Sequence, residues 1–321
     1  MNRESRQLLT INALYALIPV LLMIVPRLFA KAELTPYGAG YAAYMALVEF
    51  GVIVLPALLW CCTPAGRPAA RALWVRRPGP ELLLVAPLAC CSYFAINGVT
   101  VLWTLLLGAL GLGQVQQTIA PPQTGGQLAV GLLVIALIPA LCEEAFFRGV
   151  LQPALHRRLP PWAAVVLGGC LFGLVHGQLA ALPGHVLLGI GLCLVAYWTR
   201  SVWVTMLWHL IQNGIALVIS YFSGAILQAS QGMTGMDASA MLTQQPLMMA
   251  ISALMLLFSF GAGTALFLAL LWVATRARRE RPVTRAQESV HPLAWSPLLL
   301  AAVCIAIQYA RSGISMWGGA A

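Results

Sequence analysis

Apolar residues run through this chain in long blocks, and polar residues gather in the gaps between them. Blocks can be marked at 8–30, 38–62, 82–112, 126–150, 161–178, 181–199, 202–222, 247–274 and 293–318, most of them close to the ~20 residues that a helix needs to cross a bilayer. The pattern predicts an all-α, polytopic transmembrane helical bundle of eight to nine spans. The block at 82–112 is long enough to tilt or break, and those at 161–178 and 181–199 are separated by only a short gap.

Composition agrees with the pattern. Of the 321 residues, 60% are apolar and 8% charged, against roughly 25% charged in a soluble domain, which excludes a soluble globular protein. A net charge of +9 would point to nucleic acid in a soluble protein, but here the basic residues follow the positive-inside rule and no nucleic-acid partner is expected. Arg3 and Arg6, then Arg67, Arg71, Arg76 and Arg77, then Arg157 and Arg158, then Arg200, then Arg276, Arg278, Arg279, Arg281 and Arg285 fall in alternate connections. The intervening ones hold Arg27 and Lys31, and the loop at 223–246 carries only Asp237. The N-terminus is therefore expected in the cytoplasm. The apolar stretch of the first block exceeds a 7–15-residue signal-peptide core, so an uncleaved helix is expected there. One integral membrane domain over 1–321 is expected, with basic cytoplasmic loops at 63–80 and 275–292. The cysteines Cys61, Cys62, Cys90, Cys91, Cys142, Cys170, Cys193 and Cys304 lie in or beside apolar runs without CxxC spacing, which predicts free thiols.

Polar residues inside the blocks carry the functional information, because a charged side chain near mid-bilayer costs roughly 2.5–3.5 kcal/mol on insertion scales. They are few: Glu49, Asn97, Glu143, Glu144, Arg148, His176, His185, His209, Gln212, Asn213, Gln308 and Arg311, with most of the ionisable ones between 143 and 213. In a helix Glu144 and Arg148 share a face, acid before base, the favourable order for an i,i+4 pair. They form a candidate clamp. Glu143 points about 100° away with no basic residue three or four positions on, so its partner must come from another helix. His176 alone is a weak signal, since a single histidine on an apolar helix is ordinarily a packing residue. His209 and Asn213 share a face and could serve a developing oxyanion, or pair with each other or with Glu143. At 1.5 Å per residue Glu143, His209 and His176 lie roughly 20, 14 and 20 Å from the basic face, depths that permit them to meet. Glu49 either packs helices together, with a partner such as Asn97, or lines a substrate route. His185 is expected near the outer interface, His156 and His291 as solvated histidines near cytoplasmic ends, and Trp198, Trp203 and Trp208 as interface anchors or packing groups.

EEAFFR at 143–148, FGLVH at 172–176 and HLIQN at 209–213 resemble the EExxxR, FxxxH and HxxxN motifs of the CAAX protease and bacteriocin-processing family of intramembrane proteases. That family includes the type II CAAX prenyl endopeptidase. The resemblance covers about 126–222, the expected catalytic core, and no motif position departs from it. It implies hydrolysis of a peptide bond of a membrane-associated protein or peptide by a water that Glu143 activates. His176 would assist, His209 and Asn213 would serve the oxyanion, and Glu144, Arg148 and Phe172 would support them. Glu and His are zinc-ligand types, and the resemblance leaves metal dependence open. There is no HExxH, and a chain this poor in acids has little left as base once Glu143 binds metal, so no cofactor is expected, zinc being the alternative. Two further readings compete: a non-proteolytic bacteriocin-immunity or partner-stabilising protein, against which intact motifs count, and a secondary transporter, for which the sequence shows no convincing inverted repeat or interrupted helix. The arginine-rich, lysine-poor composition points to a GC-rich bacterium, and with it a bacterial inner membrane.

Overall fold

The computed structural model describes residues 1–29, 34–64, 66, 78–112, 120–234, 246–276 and 289–317, and no strand occurs among them. Lys31, the basic stretches within 67–77 and 277–288, and the part of the connecting loop that carries Asp237 lie outside the described residues. The described helices are α1 (Arg3–Leu28), α2 (Ala39–Cys62), α3 (Pro80–Ala109), α4 (Gly125–His156), α5 (Pro161–Val175), α6 (Leu182–Thr199), α7 (Val202–Thr234), α8 (Pro246–Ala274) and α9 (Ser296–Trp317). Eight of these elements are long and apolar enough to cross a membrane, and the protein is a multi-pass membrane protein. The remaining one, α5, stops at Val175 rather than near 178. Its 15 residues reach roughly 22 Å, short of a ~30 Å hydrocarbon core.

The end of α5 is set locally. His176 caps the helix, and Gly177 follows with a φ of 65°, a left-handed conformation that glycine adopts without a Cβ clash. The chain then turns and re-enters as α6, antiparallel to α5. In lipid no hydrophobic drive brings helices together, so close backbone approach through small residues matters more than bulk. The α5–α6 hairpin uses it: a Cβ on Gly169 would lie 2.4 Å from the Ile190 backbone nitrogen, one on Gly173 2.7 Å from that of Val186, and one on Gly189 2.7 Å from the Gly169 carbonyl oxygen.

Two apolar clusters flank this hairpin. One joins α1, α2, α4 and α5 through Tyr15, Val52, Phe146, Phe147, Leu151 and Phe172; the other joins α3, α6, α7 and α8 through Leu88, Leu192, Trp208 and Leu271. Trp208 is thus a packing group, its indole Nε1 donating to Ser92 Oγ at 3.1 Å, whereas Trp203 is exposed. All eight cysteines are free thiols.

One end of the bundle brings Arg157, Arg158 and Arg200 together with the N-terminus. Glu4 pairs with both Arg157 and Arg158, Asn2 donates to the Ser289 carbonyl at 3.1 Å, and the His291 backbone N–H donates to Ser5 Oγ at 3.0 Å. Arg200 lies 5.0 Å from the Tyr197 ring, against which His156 stacks at 4.7 Å. His156 is therefore buried rather than solvated, because α6 covers the last turn of α4. His291 is exposed, as expected.

Gly169→Ala and Gly173→Ala should each force the hairpin apart and lose about 1–3 kcal/mol of stability, seen as a lower Tm in detergent. Gly108→Ala, where an added Cβ meets nothing within 4 Å, should leave Tm unchanged or raised.

Candidate active site

Glu143 and Glu144 lie on the regular stretch Ile138–Phe146 of α4, between two π-helical stretches, Leu132–Leu137 and Phe147–Leu151. A third, Leu47–Val54, carries Glu49 on α2. Such wide turns interrupt the regular ladder and recur at functional sites.

Glu144 is fully buried, and its Oε1 accepts from Arg148 Nη1 at 2.8 Å. The same oxygen lies 3.1 Å from His209 Nδ1. Arg148 Nη2 donates to the Gly189 carbonyl on α6 at 3.1 Å, and its guanidinium sits 4.4 Å from the centre of the Phe172 ring on α5. The clamp expected from spacing is thus present and extends to three further helices. The link from Glu144 to His209 was not anticipated.

Glu143 faces the other way. Its Oε2 is buried and has no hydrogen-bond partner among the described residues, while His176 Nε2 stands 3.9 Å and His209 Nε2 4.0 Å from it. His176 Nδ1 lies 2.8 Å from the Phe172 carbonyl, and a carbonyl only accepts, so that nitrogen carries a proton. His209 Nδ1 is held by Glu144 in the same manner. Both rings therefore present Nε2 to Glu143. Separations near 4 Å are too long for direct hydrogen bonds and wide enough for one small polar molecule between the groups.

Asn213 reaches the site less directly. Its Nδ2 donates to the Ile135 carbonyl at 3.1 Å, a group in the first π-helical stretch of α4, leaving the second N–H of that amide for other partners. Phe172 packs 4.9 Å from His176 and 5.7 Å from His209, ring to ring.

These side chains line a cavity of about 400 Å³, with Glu49, Glu143, His176, His185, His209 and Asn213 on its wall. His185, expected near an outer interface, instead stacks on His176 at 4.1 Å. The turn after Gly177 brings α6 back beside the end of α5, a fold-back that apolar block lengths do not encode. Glu49 is likewise on the cavity wall. Its suggested partner Asn97 bonds within its own helix, to the Tyr93 carbonyl at 2.8 Å.

Zinc bonds of about 2.0–2.2 Å in a tetrahedron put donor atoms about 3.3 Å apart. The Glu143 oxygen and the histidine nitrogens stand wider than that, and no group of His, Cys, Asp and Glu among the described residues is arranged to hold a metal ion. As placed, these residues do not fit zinc.

Residues 125–215 match the family model described as Type II CAAX prenyl endopeptidase Rce1-like. The central segment is thus similar to that family. All three motifs fall inside it. The chain is also 26% identical over 93 residues to a Bacillus subtilis (strain 168) protein whose name is "Putative membrane peptidase YdiL", a match covering 28% of this chain and 38% of that relative. The chain thus spans well under half of the relative's length. No solved structure matches the chain.

Removing one partner from a buried ion pair leaves an uncompensated charge, at about 3–5 kcal/mol. Arg148→Ala should therefore lower Tm markedly in detergent. The double variant Glu144→Gln with Arg148→Met should recover much of that loss.

Proposed function

We propose that the protein is an intramembrane endopeptidase that hydrolyses a peptide bond of a membrane-associated protein or peptide, with Glu143 as the base that activates water. One observation carries this reading: of two adjacent glutamates, one is consumed by Arg148 and His209, and the other presents a free carboxyl oxygen to two histidine nitrogens inside a cavity. The similarity of residues 125–215 to the Rce1-like family and of a 93-residue stretch to a protein named as a membrane peptidase supports the same chemistry.

A water lodged between Glu143 and the histidines gives a proton to the Glu143 carboxylate as its oxygen attacks the scissile carbonyl carbon. General-base assistance of this kind contributes about 10²–10⁴-fold. His176, held by the Phe172 carbonyl, orients that water. His209 is steadied by Glu144 through Nδ1, as an aspartate steadies the histidine of a serine-protease triad. It can therefore take a proton at Nε2 and offer it to the oxyanion, beside the remaining Asn213 N–H. Glu144, Arg148 and Phe172 position these groups, and the reading needs no metal.

We further place the protein in a bacterial cell membrane with its N-terminus in the cytoplasm. The gathering of Arg157, Arg158 and Arg200 with the N-terminus and the 289–291 connection at one end of the bundle supports that orientation under the positive-inside rule.

Glu143→Gln should cut hydrolysis of a membrane peptide by at least about 100-fold in proteoliposomes, with Tm unchanged; equal cleavage by variant and wild type removes Glu143 as base. A tight zinc chelator should leave the rate unchanged, and its loss would restore the metal reading. In intact cells an impermeant thiol reagent should label a single cysteine placed at Gln123 and spare one at Ser289, the reverse result inverting the topology.

A further inference from the structure

The cavity holds a second carboxyl that the water-activation chemistry does not use. Glu49 is buried on α2, in the π-helical stretch Leu47–Val54, and its side chain makes no hydrogen bond or ion pair with any described residue. Its Oε2 is a buried oxygen without a partner among the described residues, and the residue lines the same cavity as Glu143. A carboxyl that merely tied helices together would be hydrogen-bonded, as Glu144 is. An unbonded one is costly to bury and points into the space where a substrate would lie.

Amide hydrolysis needs such a group. The leaving nitrogen departs only with a proton, and a base that has just taken one from water lies on the side of the attacking oxygen. We propose that Glu49 is a second catalytic carboxyl that, in its acid form, protonates the leaving amide nitrogen; the assignment rests on the endopeptidase reading. Water gives a proton to Glu143 and its oxygen bonds to the carbonyl carbon. The C–N bond then breaks as the Glu49 proton passes to nitrogen, releasing an acid and an amine. The proton left on Glu143 returns to Glu49 through the cavity, so one water is consumed and both carboxyls are reset.

The test uses leaving groups. In proteoliposomes, wild type, Glu49→Gln and Glu143→Gln are given a membrane peptide that the wild type cleaves, and the same peptide with an aryl ester at the scissile position. The phenolate of the ester leaves without a proton. Glu49→Gln should lose about 100-fold in kcat on the amide at unchanged KM and stay within a few-fold of wild type on the ester, which doubles as proof of folding. Glu143→Gln should lose both. Amide cleavage by Glu49→Gln at the wild-type rate, an equal loss on amide and ester, or a rise in KM alone would each overturn the assignment. Amide cleavage by wild type no faster than by Glu143→Gln removes Glu143 as the base, and this assignment falls with it, whereas a wild type that cleaves no membrane peptide overturns the endopeptidase reading itself.

Discussion

The ion pair of Glu144 and Arg148 is the point on which the centre of this bundle depends. Lipid offers helices no hydrophobic reason to associate, so polar groups that must be satisfied inside become the fastening. Glu144 joins Arg148 on its own helix to His209 on α7. Arg148 then reaches the Gly189 carbonyl on α6 and covers Phe172 on α5. Four helices are thus fixed in rotation and depth by one carboxylate and one guanidinium. The residues that face the cavity inherit their positions from that knot.

Adjacency on a helix explains how two glutamates one residue apart do different things. A rotation of about 100° per residue sends Glu144 toward α6 and α7 and Glu143 toward the cavity. Each histidine beside Glu143 is anchored at Nδ1, one by a backbone carbonyl and one by Glu144. Their Nε2 atoms therefore converge without either ring being free to turn away. In the proposed hydrolysis, preorganisation of this kind would cost nothing at the moment of reaction, because it is settled when the helices pack.

Much of this was legible in the residues. A helix in lipid announces itself by apolar length, so blocks marked at 38–62 and 247–274 reappear as Ala39–Cys62 and Pro246–Ala274. The clamp was legible because it is local, four residues along one face. The parts that escaped notice depend on the chain folding back. His185 meets His176 only because the turn after Gly177 lays α6 against α5. Glu49 shares a cavity with Glu143 only because α2 packs beside α4, and Asn97, the partner suggested for it, satisfies itself on its own helix. His156 is covered by Tyr197 from a helix forty residues away in sequence. The π-helical stretches were equally hidden, since an apolar run looks the same whether it is wound at the usual pitch or wider.

The early end of α5 has a consequence for supply. Hydrolysis consumes water, and the hydrocarbon interior of a bilayer contains almost none. A helix of full length would continue about one and a half turns of apolar side chain past His176. Here the helix stops at Val175, so His176 stands at its last turn, two residues from Gln178, which is exposed and borders the same cavity. Backbone at membrane depth that is not helical is tolerated where it lines a hydrated space. A helix a few residues too short thus brings Glu143 and its two histidines next to exposed Gln178, an edge from which the proposed hydrolysis would draw its water.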